Sequence, residues 1–312
     1  MPLHALFLSV LLFCCCVFLP VSSLRILLTN NNGYSDNGMP LLRDALIAAG
    51  HDVFVFAPTT RLNGASAALD LPVVNVTQRD ASSNSQEWEV DGYAATCVLV
   101  GLSQMQLLLD ASWIPDLVIS GINDGYTSGS QDWHSGTLGG ALTGLSKGVP
   151  SLAILTDSPQ EVTDSYFINV AQFVVQLVDT LEDVFAEFPL GVGLKIIYPR
   201  QETPDAVQGV VLAGNNNYFF VTFDYVLSDT VPNQLEANIV FVRDSTSTTD
   251  GATTEDSNSL AQSDSQLVRD GYITALPIQA DVSLKATKYN ENFLGGLAVM
   301  LETMELQTPI AS

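Results

Sequence analysis

A short apolar run that stops in a polar, glycine-containing loop constrains the fold of this chain more than any other feature. Residues 25–38 read RILLTNNNGYSDNG, and no polar residue alternates with Ile26, Leu27 and Leu28. Such a run is typical of a strand that is buried on both faces of a parallel sheet. Ligands of open α/β sheets bind outside the carboxyl ends of the strands, so the loop after Leu28 is the first place to search for a site.

The segments that follow predict repeated strand–helix–strand units. Met39–Gly50 has apolar residues at helical spacing and ends in glycine, and Val53–Ala57 has the composition of a second strand. The same criteria predict strands at 117–120 and 150–155 and helices at 94–109, 137–147 and 164–188. This alternation predicts an α/β fold, a Rossmann-like three-layer sandwich with a mostly parallel sheet.

The pattern changes after residue 190, where β-type runs follow one another without helices. They cover 194–198, 207–212, 218–226 and 238–242, and residues 215–217 suit a hairpin turn. We therefore divide the mature chain into an α/β core (24–190), an antiparallel β extension with a polar mobile loop at 245–265 (191–262), and a closing strand at 271–278 with a C-terminal helix at 293–304 (263–312). The extension could pair with another subunit.

The N-terminal segment predicts secretion. Residues 5–19 are apolar and uncharged, and small residues follow up to Ser23, as in a secretory signal that is removed at about that point. Because no Lys or Arg precedes the apolar run, a retained membrane anchor is the alternative. Three of the four cysteines lie in this segment, which leaves Cys97 alone in the mature chain and excludes an intramolecular disulfide framework.

The charge of the chain excludes some partners. With 34 acidic and 11 basic residues, the formal net charge is -23. Nucleic acids and anionic membrane surfaces are held by clustered Lys and Arg, and no such cluster exists here. The sequence therefore predicts neither a nucleic-acid partner nor, once the signal is removed, a membrane partner.

Amide and carboxylate side chains gather in the loops at the predicted strand ends. They are Asn30, Asn31, Asn32, Asp36, Asn37, Asn63, Asn123 and Asp124. Oxygen ligands of this kind suit a hard cation such as Mg²⁺, Mn²⁺ or Ca²⁺, but Asn and Asp also occur as ordinary turn residues. His51 and His134 are the only histidines of the mature chain, so a three-histidine zinc site is excluded.

Six stretches, in order, carry a family resemblance. LLTNNNG, GHDVFVFAPTTRLNGAS, ATCVLVGL, DLVISGIN, HSGTLGGALTG and SDSQLVRDGYITALPI resemble the SurE family of metal-dependent phosphatases and nucleotidases. The resemblance implies a SurE-like fold, a divalent metal such as Mg²⁺ or Mn²⁺, a small phosphate or nucleotide substrate, and a homodimer or homotetramer.

The resemblance also implies a set of site residues. In the family, the first loop reads Thr-Asn-Asp-Asp-Gly, and its two aspartates bind the metal together with a Ser or Asn of the second loop and the Asn of a Ser-Gly-Ile-Asn turn. The corresponding metal positions here are Asn31, Asn32, Asn63 and Asn123. The phosphate-holding positions are Ser135, Gly136 and Thr137, with Asn63 and Asn123 beside them, and the catalytic positions are Asn31 and Ser135.

This chain departs from the family at the two aspartates, which are Asn31 and Asn32 here. An amide offers one neutral oxygen and cannot act as a general base, so we expect metal affinity and activity to fall. One hypothesis is that Asp36 or Asp124 supplies the missing carboxylate. Another is that Asn32, which precedes Gly33, is deamidated to aspartate.

The sequence leaves three functions to compare. The first is a secreted metal-dependent phosphomonoesterase acting on nucleoside monophosphates or similar small phosphates, with activity weakened by the two asparagines. The second is a non-catalytic protein that keeps the pocket for binding. The third, a nucleotide-sugar transferase, is suggested by RILLTN and GHDVFVFAP but requires a second βαβ half after residue 190, which the β-type runs there do not supply.

Overall fold

The structure, a computed structural model, describes residues 23–80, 86–125, 127–157, 163–201, 203–214, 219–227, 235–243, 263–280 and 299–304. Its helices and strands in chain order are β1 (Arg25–Thr29), α1 (Gly38–Ala48), β2 (Asp52–Pro58), β3 (Val76–Gln78), β4 (Glu87–Val90), α2 (Ala94–Leu108), β5 (Leu117–Asn123), α3 (Gly136–Ser146), β6 (Ser151–Thr156), α4 (Asp164–Leu181), β7 (Val192–Tyr198), β8 (Gly209–Leu212), β9 (Phe219–Leu227), β10 (Leu235–Arg243), α5 (Asp264–Arg269) and β11 (Tyr272–Gln279). The predicted signal, the predicted turn at 215–217, most of the predicted polar loop and the first half of the predicted C-terminal helix fall outside these ranges.

A nine-stranded sheet forms the centre of the molecule, in the order β3-β4-β2-β1-β5-β6-β7-β11-β8. The strands from β4 to β7 in this order run parallel to one another. At the two margins, β3 pairs antiparallel with β4 and β11 pairs antiparallel with β7, while β8 runs parallel to β11. The predicted mostly parallel α/β sheet is confirmed.

Both faces of the sheet are covered by helices, which explains the unbroken apolar run of β1. Ile26 and Leu28 pack in the core cluster that contains α1 and α4, whereas Leu27 packs in a second cluster with α2. All three side chains are fully buried. Burying a side chain of this size contributes about 1.5–3 kcal/mol. A polar residue anywhere in the strand would lose this contribution, so the sequence cannot alternate.

The small residues of α3 let this helix approach the sheet closely, as the sequence predicts. A Cβ atom added to Gly140 would lie 2.6 Å from Ser120 Oγ of β5, and one added to Gly144 would lie 2.4 Å from Ser151 Oγ of β6. Real Cβ atoms essentially never come within 3.0 Å of another heavy atom in this way. The position of the helix, and therefore of its N-terminus, depends on these glycines.

The region after residue 190 differs from the prediction. β7 pairs parallel with β6 and β8 belongs to the main sheet, so neither is part of an antiparallel extension. Among the described residues, the extension consists of β9 and β10, which form a separate two-stranded antiparallel sheet. The long helix α4 forms the crossover from β6 to β7. The sequence did not predict this βαβ unit because the apolar run of β7 also suits an antiparallel strand.

Two smaller predictions need correction. The helix predicted at 164–188 ends at Leu181 and continues as a 3₁₀ segment, Glu182–Glu187. The polar composition of residues 77–86 predicts a surface insertion, but part of this stretch pairs with β4 as the edge strand β3. Within the parts of the chain that the structure describes, we find no helix with the length and apolar character of a membrane span.

Candidate functional site

The loops after β1, β2 and β5 meet the N-terminus of α3 at the carboxyl edge of the sheet. The backbone N–H of Leu62, in the loop after β2, donates to the carbonyl oxygen of Asn31 at 2.9 Å. Further along the same loop, the N–H of Ser66 donates to the carbonyl oxygen of His134 at 3.2 Å. These contacts join segments that are far apart in sequence, as expected where the carboxyl ends of parallel strands meet.

The side chain of Asn31 connects three of these segments. Its Oδ1 accepts a hydrogen bond from Thr137 Oγ1 at 2.7 Å, and its Nδ2 donates to Asn63 Oδ1 at 3.0 Å. Asn31 is only 4% exposed and Thr137 is fully buried. A Cβ atom added to Gly136 would lie 2.9 Å from Asn31 Cβ, so a larger residue does not fit there without a shift. The structure thus brings together four of the residues predicted from the sequence.

The N-terminus of α3 presents features that suit an anion. Ser135 is the N-cap, and its Oγ accepts from the backbone N–H of Leu138 at 3.1 Å. The other N–H groups of the first turn have no acceptor within the helix, and the helix dipole places partial positive charge there. No acidic residue lies in this first turn. Gly136 and Thr137 follow Ser135 directly, so all three predicted phosphate-holding residues lie at this helix end.

The second asparagine of the first loop, Asn32, contacts the loop after β5. Its Nδ2 donates to Asp124 Oδ1 at 2.9 Å. Asn32 is 5% exposed, and its Oδ1 has no hydrogen-bond partner among the described residues. Because a carboxylate only accepts, the contact with Asp124 fixes the amide orientation and leaves this oxygen pointing elsewhere.

Asn123 is less closely connected to the other predicted residues. Its side-chain Nδ2 donates to the backbone carbonyl oxygen of Gly125 at 2.9 Å. Its backbone carbonyl oxygen accepts from Thr156 Oγ1 at 2.8 Å. In the described part of the chain, no hydrogen bond links its side chain to Asn31, Asn32 or Asn63. It shapes the loop that carries Asp124.

The histidines differ in position. His51 lies at the opposite edge of the sheet, where its buried Nδ1 accepts from the backbone N–H of Leu24 at 3.4 Å. His134 is exposed and immediately precedes Ser135. Of the histidines that the structure describes, only His134 adjoins the candidate site.

Arg61 is the residue that sequence reasoning missed. Its Nη1 and Nη2 donate to the two carboxylate oxygens of Asp124 at 2.8 and 2.6 Å, and Nη2 also donates to Asp36 Oδ2 at 3.0 Å. The available signal was an arginine two positions before Asn63 in a chain with few basic residues. Its carboxylate partners could not be read from sequence spacing.

Burial and close contacts raise the pKa values of Asp36 and Arg61. Burial is the main reason why the pKa of Asp36 is raised from its ordinary value, and the nearby Asp124 carboxylate adds to the effect. The hydrogen bond to Asp124 is the largest cause of a raised pKa of Arg61. The guanidinium therefore keeps its charge, and the two carboxylates share it as their cation.

The donor atoms of the site do not fit a resident divalent metal. Mg²⁺, Mn²⁺ and Ca²⁺ are held by several oxygen ligands that include carboxylates. The four predicted metal positions supply only neutral amides, and Asn31 already uses its amide for Thr137 and Asn63. The predicted compensating ligands Asp36 and Asp124 both hold Arg61. In the described ranges, moreover, no group of three or more His, Cys, Asp or Glu is arranged for a metal ion.

Comparison with known proteins agrees with the fold. A family model described as survival protein SurE matches residues 26–218, which is more than half of the chain. The chain belongs to the SurE family. A similar protein is the 5'-nucleotidase SurE of Lawsonia intracellularis, which is 35% identical to this chain over 176 residues. The matched region covers 56% of this chain and 66% of that protein.

Two further SurE proteins match over a larger share of their length. The 5'-nucleotidase SurE of Ehrlichia ruminantium is 25% identical over 265 residues, 83% of this chain and 95% of that protein. The crystal structure of the SurE protein from Aquifex aeolicus superposes with a TM-score of 0.64 at 25% sequence identity, covering 87% of this chain and 99% of that chain. The SurE relatives thus support a protein of the nucleotidase and phosphatase kind, and they extend over most of the fold.

Proposed function

We propose that this SurE protein binds the phosphate group of nucleoside monophosphates or similar small phosphate monoesters at the N-terminus of α3. We further propose that it is a phosphomonoesterase with strongly reduced turnover. The observation that carries the proposal is the buried Asn31 amide, which contacts Thr137 and Asn63 at once and so closes the first and second loops around the helix end. The 5'-nucleotidase names of the relatives support the choice of ligand.

The residues at the helix end have the groups that a phosphate needs. Free backbone N–H groups of the first turn can donate to phosphate oxygens, and the helix dipole favours the negative charge. The Ser135 side chain holds the first turn in place through its bond to the Leu138 N–H. Thr137 uses its hydroxyl hydrogen for Asn31, so it orients the loop amide, while its backbone N–H lies in the first turn.

The reduced turnover follows from the two asparagines. We infer that Asn31 and Asn32 occupy the positions of the family's metal-binding aspartates. Amides cannot accept a proton at neutral pH, and they do not neutralise a dication. Hydrolysis should therefore be slow compared with a variant that carries carboxylates at both positions.

A non-catalytic binding protein is the second candidate function. It is favoured by the contacts of Asp36 and Asp124, the predicted compensating carboxylates, because Arg61 engages both. A carboxylate that accepts hydrogen bonds from a guanidinium has fewer oxygen lone pairs left for a metal ion, so it is a poorer metal ligand.

Phosphate release decides between the two. AMP and p-nitrophenyl phosphate are incubated with Mg²⁺ or Mn²⁺ and the wild-type protein, the Asn31→Asp/Asn32→Asp variant, or an Asn31→Ala/Asn32→Ala control. We expect kcat/KM of the Asp variant to exceed that of the wild type by about 10²-fold or more, the usual contribution of a general base. The Ala control should gain nothing.

The outcomes separate the candidates. Slow wild-type turnover of AMP supports the weakened phosphomonoesterase, whereas AMP binding with no turnover supports the binding protein. Wild-type turnover equal to that of the Asp variant would contradict the role given to the asparagines, and failure of every variant to bind AMP would refute the phosphate site.

Secretion and oligomer formation stay predictions. We propose that the segment before residue 24 directs secretion, and that the protein forms a homodimer or homotetramer. N-terminal sequencing of protein recovered from the culture medium tests the first, and light scattering of the purified protein tests the second.

A further inference from the structure

Arg61 lies between two carboxylates, one of which, Asp124, also contacts the predicted metal position Asn32. Arg61 Nη2 donates to Asp36 Oδ2 and to Asp124 Oδ2 at 3.0 and 2.6 Å, so one nitrogen lies between the two carboxylates. Nη1 adds a contact with Asp124 Oδ1 at 2.8 Å, which makes the pair with Asp124 bidentate. Bidentate guanidinium–carboxylate contacts are among the stronger hydrogen bonds in proteins.

Some donors and acceptors of this cluster have no partner among the described residues. A guanidinium has five N–H donors, and three are used by the two carboxylates, which leaves the Nε–H and one Nη1–H without a partner among the described residues. Independently, the Asn32 side chain has a buried oxygen, Oδ1, with no hydrogen-bond partner among the described residues. The nitrogen of the same amide, Nδ2, donates to Asp124. A ligand hydroxyl, or its bound water, can satisfy this oxygen.

The charge of the cluster and the neutral amides of the first loop both disfavour a bound dication. Asp36, Asp124 and Arg61 together carry a formal charge of about -1 at neutral pH, from two carboxylates and one guanidinium. A dication bound by Asp36 and Asp124 would have to displace the guanidinium, and it would find no further carboxylate at Asn31 or Asn32. The guanidinium is attached to the protein and so competes at a high effective concentration.

We propose that Arg61 is the resident cation of this site, in place of the divalent ion that the family resemblance implies, and that the binding of phosphate monoesters here is independent of divalent metal. This inference rests on the proposed phosphate site. It has two measurable consequences: Arg61 keeps metal away from Asp36 and Asp124, and Arg61 strengthens the binding of the anion.

The first consequence is tested by calorimetric titration of the full chain with MnCl₂. We expect no saturable Mn²⁺ binding to the wild type in the millimolar range. Arg61→Gln should create a site with a dissociation constant on the order of 10⁻⁴ to 10⁻³ M, the range of sites with few charged ligands. This site should disappear again in Arg61→Gln/Asp36→Asn/Asp124→Asn. Wild-type binding as tight as that of Arg61→Gln, or no gain in Arg61→Gln, would overturn the proposal.

The matched control is Arg25→Gln. Arg25 also forms a bidentate contact with one carboxylate, Asp116, and the exposure of its side chain is 42% against 45% for Arg61. It lies at the start of β1, at the edge opposite the site. Its Mn²⁺ titration should match that of the wild type. A thermal melt of each variant verifies folding, and Arg61→Lys provides a second substitution that keeps the charge and should keep Mn²⁺ out.

The second consequence is tested with AMP in the presence of EDTA or of Mg²⁺. We expect the wild-type affinity for AMP to be equal in the two buffers. Arg61→Gln should weaken binding in EDTA by about tenfold or more, as expected for a charge-assisted hydrogen bond. Asp36→Asn should tighten it by about two- to fivefold, because it removes one partly exposed negative charge and leaves the Arg61–Asp124 pair intact.

These results distinguish failure of the inference from failure of the proposed function. If AMP binds only with Mg²⁺, the phosphate site stands and the role of Arg61 is refuted. If no variant binds AMP in either buffer, the phosphate site is refuted, and the part of the inference that concerns AMP falls with it. In that case the Mn²⁺ titration alone decides whether Arg61 is the resident cation.

Discussion

Replacing Lys195 by methionine should destabilise the protein more than any change of an exposed charge. Lys195, in the centre of β7, is fully buried, and its Nζ donates to Asp132 Oδ2 at 2.7 Å and to Asp264 Oδ2 at 2.8 Å. Asp264 is also fully buried. The lysine thus connects the 3₁₀ segment Gly129–His134, which precedes Ser135, to the start of α5.

The magnitude follows from the charges that the substitution leaves behind. Methionine has a similar volume and creates little cavity, so the cost is that of two carboxylates that lose their cation in a water-poor environment. Removing one partner of a buried ion pair costs about 3–5 kcal/mol. Burial alone would lower the pKa of Lys195, but the Asp132 and Asp264 carboxylates outweigh it and raise the pKa above its ordinary value. A raised lysine pKa stabilises the folded state below the unfolded pKa and loses this effect only as the pH rises through the folded pKa, so the full cost appears at pH 7.

Thermal and urea unfolding of Lys195→Met measures this cost. For a chain of this size, we expect Tm to fall by about 6–20 °C, since each kcal/mol shifts Tm by about 2–4 °C. Lys147→Met, at an exposed lysine, should stay within about 0.5 kcal/mol of the wild type. Adding Asp132→Asn and Asp264→Asn to Lys195→Met should recover part of the loss, because the uncompensated charges are then gone. A Lys195→Met variant that melts with the wild type would refute the reasoning.

Three further predictions concern single positions. Gly139→Ala should cost about 1–3 kcal/mol and weaken AMP binding, because the added Cβ would lie 2.1 Å from the carbonyl oxygen of Ser66; unchanged melting and affinity would show that the second loop shifts freely. Burial raises the pKa of the Cys97 thiol, so a water-soluble disulfide reagent at pH 8 should label it only after unfolding, and rapid labelling of native protein would contradict the buried position. Burial acts to raise the pKa of Asp116, but the bonds to Arg25 outweigh it and hold the pKa below its ordinary value. Asp116→Asn should therefore cost at most about 1 kcal/mol at pH 7, given the exposure of this pair, and the difference should vanish as the pH falls through the lowered pKa.

The parallel core was predictable because its signals are local. An apolar run buried on both faces, a helix ending at glycine and a polar loop at each strand end are all readable within about 30 residues of a βαβ unit. The strands after residue 190 were harder, because β7 and β8 have similar compositions and their place depends on partners. β8 pairs with β11, which lies about 60 residues later in the chain. The sequence of β8 alone does not indicate which strand it pairs with.

The sequence predicted which loops and helix end come together at the candidate site, but not the contacts between their side chains. The places of Asn31, Asn63 and the Ser135–Thr137 segment follow from the loops at strand ends and from the family resemblance. The ion cluster does not, because Arg61 is 25 residues from Asp36 and 63 residues from Asp124. Only the packing of three loops brings these charges together, and no spacing rule applies to contacts between separate loops.

The asparagines and the arginine cluster should be energetically coupled. The formal charges of Asp36, Asp124 and Arg61 sum to about -1. Carboxylates at positions 31 and 32 would change this sum to about -3 unless some of the carboxylates bind protons. The Asn31→Asp/Asn32→Asp variant should therefore melt below the wild type in EDTA. Mn²⁺ should raise its Tm in proportion to the logarithm of the metal concentration, because a ligand that binds only the folded state stabilises it in this way. The wild type, whose cation is covalently attached, should show no such rise. If Mn²⁺ stabilised both proteins equally, the first-loop amides and Arg61 would not be parts of one charge balance.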